Sequence, residues 1–250
     1  MTSYDGHLHN IHRALAHRCE MKQDQQENHL AVLISHINTF ASKRGFDHLK
    51  VMEDLLDYII SFLDVNSTPV PGWSHGEEDN KEFLSLFIEY VNVFDDATQN
   101  DGWYDAWGDL FMELKGNSAG YRQQFFTPPG VSNLCAKMIN EPQGNFIDDP
   151  TAGSARQLLA IDSLFRKEGR VRPYLVAEDI DFICCKMAAV NMVMHGCTGE
   201  VVCHDTLNEP DSVRQGYLIN PAMAEVCLPH VIKSANPQDF RSCQLWRTRK

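Results

Sequence analysis

The sequence predicts an α/β protein in which a bundle of helices precedes a sheet of mostly parallel strands. Three observations predict this class. Apolar residues recur at helical spacing through the first third of the chain, and from about residue 143 short apolar runs alternate with helical stretches. A glycine-containing turn follows the first of those runs. Because 250 residues suffice for two small domains, we expect a helical domain at 1–117 and an α/β domain at 118–250.

Four apolar stripes predict the helices of the bundle. They are Leu30, Leu33, Ile34, Ile37, Phe40 and Ala41; Met52, Leu55, Leu56, Ile59, Ile60 and Leu63; Phe83, Leu86, Phe87, Tyr90, Val91 and Phe94; and Trp103, Trp107, Leu110, Phe111 and Leu114. Glycine- and proline-rich segments separate the first three stripes. Helices with one apolar face bury it by packing together, so a small bundle follows.

The second half alternates strands and helices. Strands are predicted at 145–147, 174–177, 200–203 and 217–219, with a helix through Leu158, Leu159, Ile161 and Leu164 and another at 182–195. This alternation is typical of a parallel sheet with right-handed crossovers. A nucleotide-like ligand would lie at the carboxyl ends of its first strands.

Composition limits the partners. The formal net charge of −12 argues against holding duplex DNA by general electrostatics alone, so a nucleic-acid surface would be local or supplied by a partner. No apolar run approaches the roughly 18 residues that cross a bilayer, and the polar start lacks a secretory signal, so we expect a cytoplasmic protein without membrane contact. His7, His9, His12, His17 and Cys19 lack zinc spacing, which favours surface histidines over a metal site.

Three acidic or glycine positions point to a nucleoside ligand. Asp149 leads into a turn with Gly153, where a backbone can approach a ligand and a helix begins. Glu178 ends the next strand, within the spacing at which an acid accepts both ribose hydroxyls. Asp205 follows the third strand and could accept an adenine amino group. The alternative for the glycine turn is an ordinary strand-to-helix turn. For Glu178 it is a solvated strand end or a cap of the helix that starts near Asp181, and for Asp205 it is a turn residue.

Six motifs occur in this order: Gln124-Phe125-Phe126-Thr127-Pro128-Pro129, Asp149-Pro150 with Gly153-Ser154, Glu178, Asn191-Met192 with His195-Gly196, Asp205-Thr206-Leu207, and Asn220-Pro221. Together they resemble the modification subunit of type I restriction systems and related adenine-N6 DNA methyltransferases. They span about half the chain. The resemblance implies a Rossmann-like class I methyltransferase domain with S-adenosylmethionine as cofactor and DNA as substrate, bound with help from a partner subunit or oligomer.

The resemblance also implies residue roles. It places the cofactor among Phe126, Thr127, Pro128, Asp149, Pro150, Gly153, Ser154, Glu178, Asp179, Asp205 and Thr206. In the family, an asparagine and a proline carbonyl accept hydrogen bonds from the flipped adenine, on which a following aromatic ring stacks. The catalytic set expected here is therefore Asn220, Pro221 and Met223.

The chain departs from the family pattern at three points. Ala222 and Met223 replace the second proline and the aromatic ring, a loss of roughly 1–3 kcal/mol of base stacking. Ala155 replaces a second glycine, which is compatible with a negative φ. About 30 residues follow Asn220, so we expect a sheet that is incomplete at its carboxyl end. These departures leave open a second hypothesis, a non-catalytic module that binds the cofactor or a restriction-system partner.

Overall fold

The computed structural model describes residues 29–116, 125–139, 146–207 and 212–248; the histidine-rich start, with His7 to Cys19, lies outside them. The first described region contains the four predicted helices. They are α1 (His29–Arg44), α2 (His48–Leu63), α3 (Glu77–Asp101) and α4 (Ala106–Lys115). Asp47 caps α2 by accepting from the Leu49 and Lys50 amides, and Gly102 ends α3 in the left-handed conformation.

The second region is an α/β layer structure. Its elements are α5 (Pro129–Met138), β1 (Phe146–Asp149), α6 (Arg156–Lys167), β2 (Tyr174–Asp179), α7 (Phe182–Met194), β3 (Gly199–Cys203), β4 (Gln215–Ile219), α8 (Met223–Val226), β5 (Val231–Ser234), a 3₁₀ turn (Pro237–Asp239) and α9 (Arg241–Thr248). The strands lie in the order β1-β2-β3-β4-β5. The α/β class that the sequence predicts is therefore confirmed.

The sheet is parallel only in its first half. β1, β2 and β3 pair in parallel, whereas β4 pairs antiparallel with β3 and β5 antiparallel with β4. The parallel pairing expected of the strand-helix-strand-helix-strand unit is present in β1, β2 and β3, and β4 departs from it. Only residues 204–214 join β3 to β4, and a parallel crossover needs about a dozen or more residues, usually with a helix. The chain doubles back instead.

Helices cover both faces of the sheet. On one face, α6, α7 and the bundle share a continuous apolar core that includes Trp107, Phe165, Met187 and Tyr217. On the other face, Phe240, which precedes α9, and Cys243 of α9 pack on Val202. The core thus runs across the predicted division at residues 117 and 118, and that division stays a prediction.

Two buried carboxylate contacts fix helices to their neighbours. Lys186 of α7 donates to Glu53 and Asp57 of α2, at 2.9 and 2.8 Å. Glu200 of β3 accepts from the backbone amides of Arg241 and Ser242, at 2.9 and 2.8 Å, and so caps α9 from the sheet. Within the described ranges, no helix combines the length and apolarity that crossing a membrane requires.

Candidate functional site

The turn after β1 places a glycine and three backbone amides at the carboxyl edge of the sheet. The Thr151 amide donates to the Asp149 carboxylate at 3.1 Å, and the Ala152 amide donates to the Glu178 carbonyl at 2.9 Å. The Gly153 amide donates to the Asp179 carboxylate at 2.9 Å. The loops that follow β1 and β2 are therefore joined directly.

Gly153 is required by a close approach as well as by its backbone conformation. Its φ is +56°, and a Cβ there would lie 2.9 Å from the Phe126 ring. Phe126 thus covers the turn. Thr127 follows it, and the exposed Pro128 is the N-cap of α5.

Two carboxyl groups, those of Asp149 and Asp179, face this turn, and burial raises the pKa of both. Asp149 and Asp179 occupy neighbouring strand ends, and burial is the main cause that raises the pKa of each carboxyl. Hydrogen bonds from backbone amides oppose that rise, because they favour the ionised form. The turn therefore concentrates negative charge on a partly buried edge.

Glu178 lies beside this turn, and its carboxylate is only 1% exposed. Successive strand residues point to opposite faces, so Glu178 and Asp179 diverge. His204 Nε2 is 3.2 Å from Glu178 Oε1, within ion-pair distance, but the contact does not have hydrogen-bond geometry, and neither atom has a hydrogen-bond partner. A buried acceptor without a donor suits a ligand that brings hydroxyl groups.

Asp148 extends this acidic face. It shares a sheet face with Glu178, and burial, followed by repulsion from Glu178, raises the pKa of its carboxyl to about 7.

The loop after β3 closes the same edge. Thr206 donates its hydroxyl to the Pro150 carbonyl at 3.3 Å, and the Asp205 carboxylate accepts from the Leu207 amide at 3.0 Å. The structure therefore brings the predicted residues of all three loops to one edge. Their individual roles toward a cofactor stay predictions.

Asn220, Pro221 and Met223 lie at the other end of the sheet. Because β4 is antiparallel, Ile219 pairs with Gly199 at the amino end of β3. The length of β3 separates Asn220 from the glycine turn, about 15 Å at strand geometry. The structure does not bring the expected catalytic set together with the expected cofactor set.

The Asn220 side chain is 1% exposed and makes three hydrogen bonds. Its Nδ2 donates to the carbonyls of Cys197 and Val193, at 2.8 and 3.3 Å, and its Oδ1 accepts from the His230 amide at 2.9 Å. These contacts tie β4 and β5 to the end of α7.

The alanine at position 155 departs from its expectation. Its φ is +69°, not negative, and it is fully buried at the start of α6. A methyl group is therefore held in the left-handed region, where the family commonly has glycine.

Sequence reasoning missed two polar residues behind the turn. They are Asp105 and Arg156, which form a buried network with Ser154 and Asn191. Asp105 falls within the fourth predicted stripe and belongs to no motif, whereas in the structure it is the N-cap of α4. Among the described residues, no group of three or more His, Cys, Asp or Glu side chains is placed to hold a metal.

A parallel β-α-β-α-β unit with a glycine turn and strand-end acids defines an α/β protein of the nucleoside-binding class. The family model described as N-6 DNA Methylase matches residues 100–227, just over half of the chain. The chain therefore belongs to the N-6 DNA methylase family. This match confirms the resemblance found in the sequence.

Two solved structures are similar to this chain. One is a putative class I S-adenosylmethionine-dependent methyltransferase from Listeria monocytogenes, with 13% identity and a TM-score of 0.45, covering 73% of this chain and 55% of that chain. The other is the methyltransferase subunit of a type I restriction-modification system from Streptococcus thermophilus, with 20% identity and a TM-score of 0.37, covering 72% and 40%. The chain thus spans about half the length of these structures or less. A search of curated proteins found no match.

Proposed function

We propose that this chain binds S-adenosylmethionine at the carboxyl edge of β1–β3 and acts as an adenine-N6 DNA methyltransferase. The observation that carries the proposal is the Gly153 turn, which Phe126 covers and the Asp179 carboxylate joins to β2. Family membership supplies the reaction.

The residues present fit the cofactor. Glu178 Oε1 is a buried acceptor without a donor, and a ribose supplies two hydroxyl donors. Asp205 would accept the adenine amino group, and Phe126 would line the cleft above Gly153. Bound S-adenosylmethionine supplies a methyl group activated by a positively charged sulfur, and the acids of this edge favour that charge.

DNA recognition is assigned to a partner. The formal net charge of −12 gives the chain no general affinity for phosphates, so a partner subunit or an oligomer would hold the duplex, in the cytoplasm.

A second candidate function, a cofactor-binding module that transfers no methyl group, is favoured by the geometry of Asn220. Its carboxamide donates both N–H groups to carbonyls and accepts from the His230 amide, and at 1% exposure its Oδ1 is not accessible to an adenine. In this candidate, Asn220 is a structural residue of the β4–β5 turn.

Calorimetry with S-adenosylmethionine tests the site. We expect Glu178→Ala and Asp179→Ala to weaken binding by about tenfold or more, because each removes a charged acceptor. Glu168→Ala, an exposed acid that follows α6, is the matched control and should bind like wild type. Equal heats for all four proteins would contradict the proposed site.

Transfer of labelled methyl groups to unmethylated DNA separates the two candidate functions. Incorporation by wild type, lost in Glu178→Ala, would reject the non-catalytic module. Cofactor binding without incorporation, with the DNA-recognition partner present, would reject the methyltransferase.

A further inference from the structure

Asp105 is a buried carboxylate with four donors around it. It lies at the N-cap of α4, where its side chain is about 1% exposed. Its Oδ1 accepts from the Gly108 amide and from Asn191 Nδ2, both at 2.7 Å. Its Oδ2 accepts from Ser154 Oγ at 2.5 Å and from Arg156 Nε at 2.7 Å. Every lone pair of this carboxylate is therefore used.

Two of these donors flank the most strained point of the glycine turn. Ser154 and Arg156 stand on either side of Ala155, whose φ is +69°. A non-glycine residue keeps such a conformation only where its surroundings impose it, and no side chain caps α6 locally. Asn191 adds a bond to the Ser154 carbonyl at 2.9 Å. The conformation of this turn is thus held by hydrogen bonds to Asp105 and Asn191, which lie outside the turn.

Arg156 carries the same constraint to the segment that covers the turn. Its NH1 donates to the Thr127 carbonyl at 3.2 Å, next to Phe126. Its NH2 pairs with Asp109 of α4 at 2.8 Å. Asp105 is therefore linked through Ser154 to the residue after Gly153, and through Arg156 to the residue after Phe126.

The packing around Asp105 admits no substitute at Gly108. A Cβ at that position would lie 2.1 Å from Asp105 Oδ2 and 2.9 Å from the Arg156 guanidinium. A glycine inside a helix costs about 1 kcal/mol relative to alanine, and here it makes room for the carboxylate.

From this geometry we propose that Asp105 is the positioning residue of the cofactor turn: through Ser154 and Arg156 it holds Gly153 and Phe126 in the conformation that binds S-adenosylmethionine. The inference deepens the proposed function and rests on it. Nothing in the six sequence motifs includes Asp105.

The experiment compares two matched pairs of variants. Ser154→Ala removes one bond to Asp105, and Ser163→Ala is its control, since Ser163 is a buried serine of α6 outside the network. Asp105→Asn replaces one carboxylate oxygen, which accepts hydrogen bonds, with an NH2 group that faces the donors around it. Asp162→Asn is its control, because Asp162 is equally buried and pairs with Arg172 at 2.7 Å and Arg166 at 3.0 Å. Each variant is measured for amide hydrogen exchange at residues 151–156 without cofactor and for the Kd of S-adenosylmethionine.

We expect Asp105→Asn to raise Kd by about tenfold or more and Ser154→Ala by a smaller factor, each with faster exchange at the turn. Asp162→Asn loses stability but keeps the Kd of wild type. Faster exchange with an unchanged Kd, or equal behaviour of Ser154→Ala and Ser163→Ala, overturns the inference. Failure of wild type to bind S-adenosylmethionine overturns the proposed function instead, and exchange in cofactor-free protein then still decides whether Asp105 holds the turn.

Discussion

Replacing Ala155 with glycine measures the strain stored in the turn. Its φ of +69° costs an alanine roughly 1–2 kcal/mol relative to glycine, and Ala155→Gly releases that energy. The substitution also raises the conformational entropy of the unfolded chain, which destabilises the protein by about 0.4–1 kcal/mol. It removes a fully buried methyl group as well, which costs about 0.8 kcal/mol. These effects nearly cancel, so we expect a change in the free energy of unfolding within about 0.5 kcal/mol.

Ala160→Gly is the control for that prediction. Ala160 is also buried in α6, but in regular helix, so glycine there relieves no strain and costs about 2 kcal/mol. Urea unfolding of the two variants, followed by circular dichroism, gives both free energies. Equal destabilisation by the two substitutions would show that Ala155 is not strained and would refute the reasoning.

Three further predictions concern the edge and the faces of the sheet. Gly153→Ala should destabilise the protein by roughly 1–2 kcal/mol in urea unfolding, because φ is positive and the added methyl group would lie 2.9 Å from the Phe126 ring. We also expect it to weaken S-adenosylmethionine binding in calorimetry, and unchanged binding would contradict this. Glu200→Gln should cost about 2 kcal/mol in the same unfolding assay, because an amide replaces one acceptor at the cap of α9; wild-type stability would show that the cap is dispensable. Asp148→Asn should gain about 1 kcal/mol over wild type between pH 4 and pH 8, a figure discounted for solvent screening. The folded pKa of about 7 exceeds the ordinary 3.8, so the folded state holds a proton that the unfolded chain releases, and the stability from this group falls as pH rises through that window. Parallel pH profiles of the two proteins would contradict that prediction.

The helices and the first three strands were predictable because their signals are local. Helical spacing placed Leu55, Ile59 and Phe83 on buried faces, and the structure buries all three. The glycine turn was likewise marked by its position between an apolar run and a helix. Its contact with Phe126 was implied by the family resemblance alone.

The direction of β4 was not predictable from its residues. Its short apolar run is the same whether the strand is parallel or antiparallel, and pairing is decided by the connection and by the partner strand. That choice carries Asn220 to the amino end of β3, away from Asp149. The direction of β4 therefore bears on the two candidate functions, because it separates Asn220 from the proposed cofactor site.

The sequence by itself determined the α/β class, the family and the three loops that meet at one edge, because periodicity, turn residues and motif order are properties of neighbouring residues. Only the tertiary structure decided that Glu178 is buried beside His204, that Asn220 lies at the other end of the sheet, and that the Asp105 carboxylate accepts from Ser154 and Arg156 beside the glycine turn. Those outcomes depend on strand order and on contacts between residues distant in sequence, such as Asp105 with Ser154 and with Asn191, 49 and 86 positions apart, which no local pattern encodes.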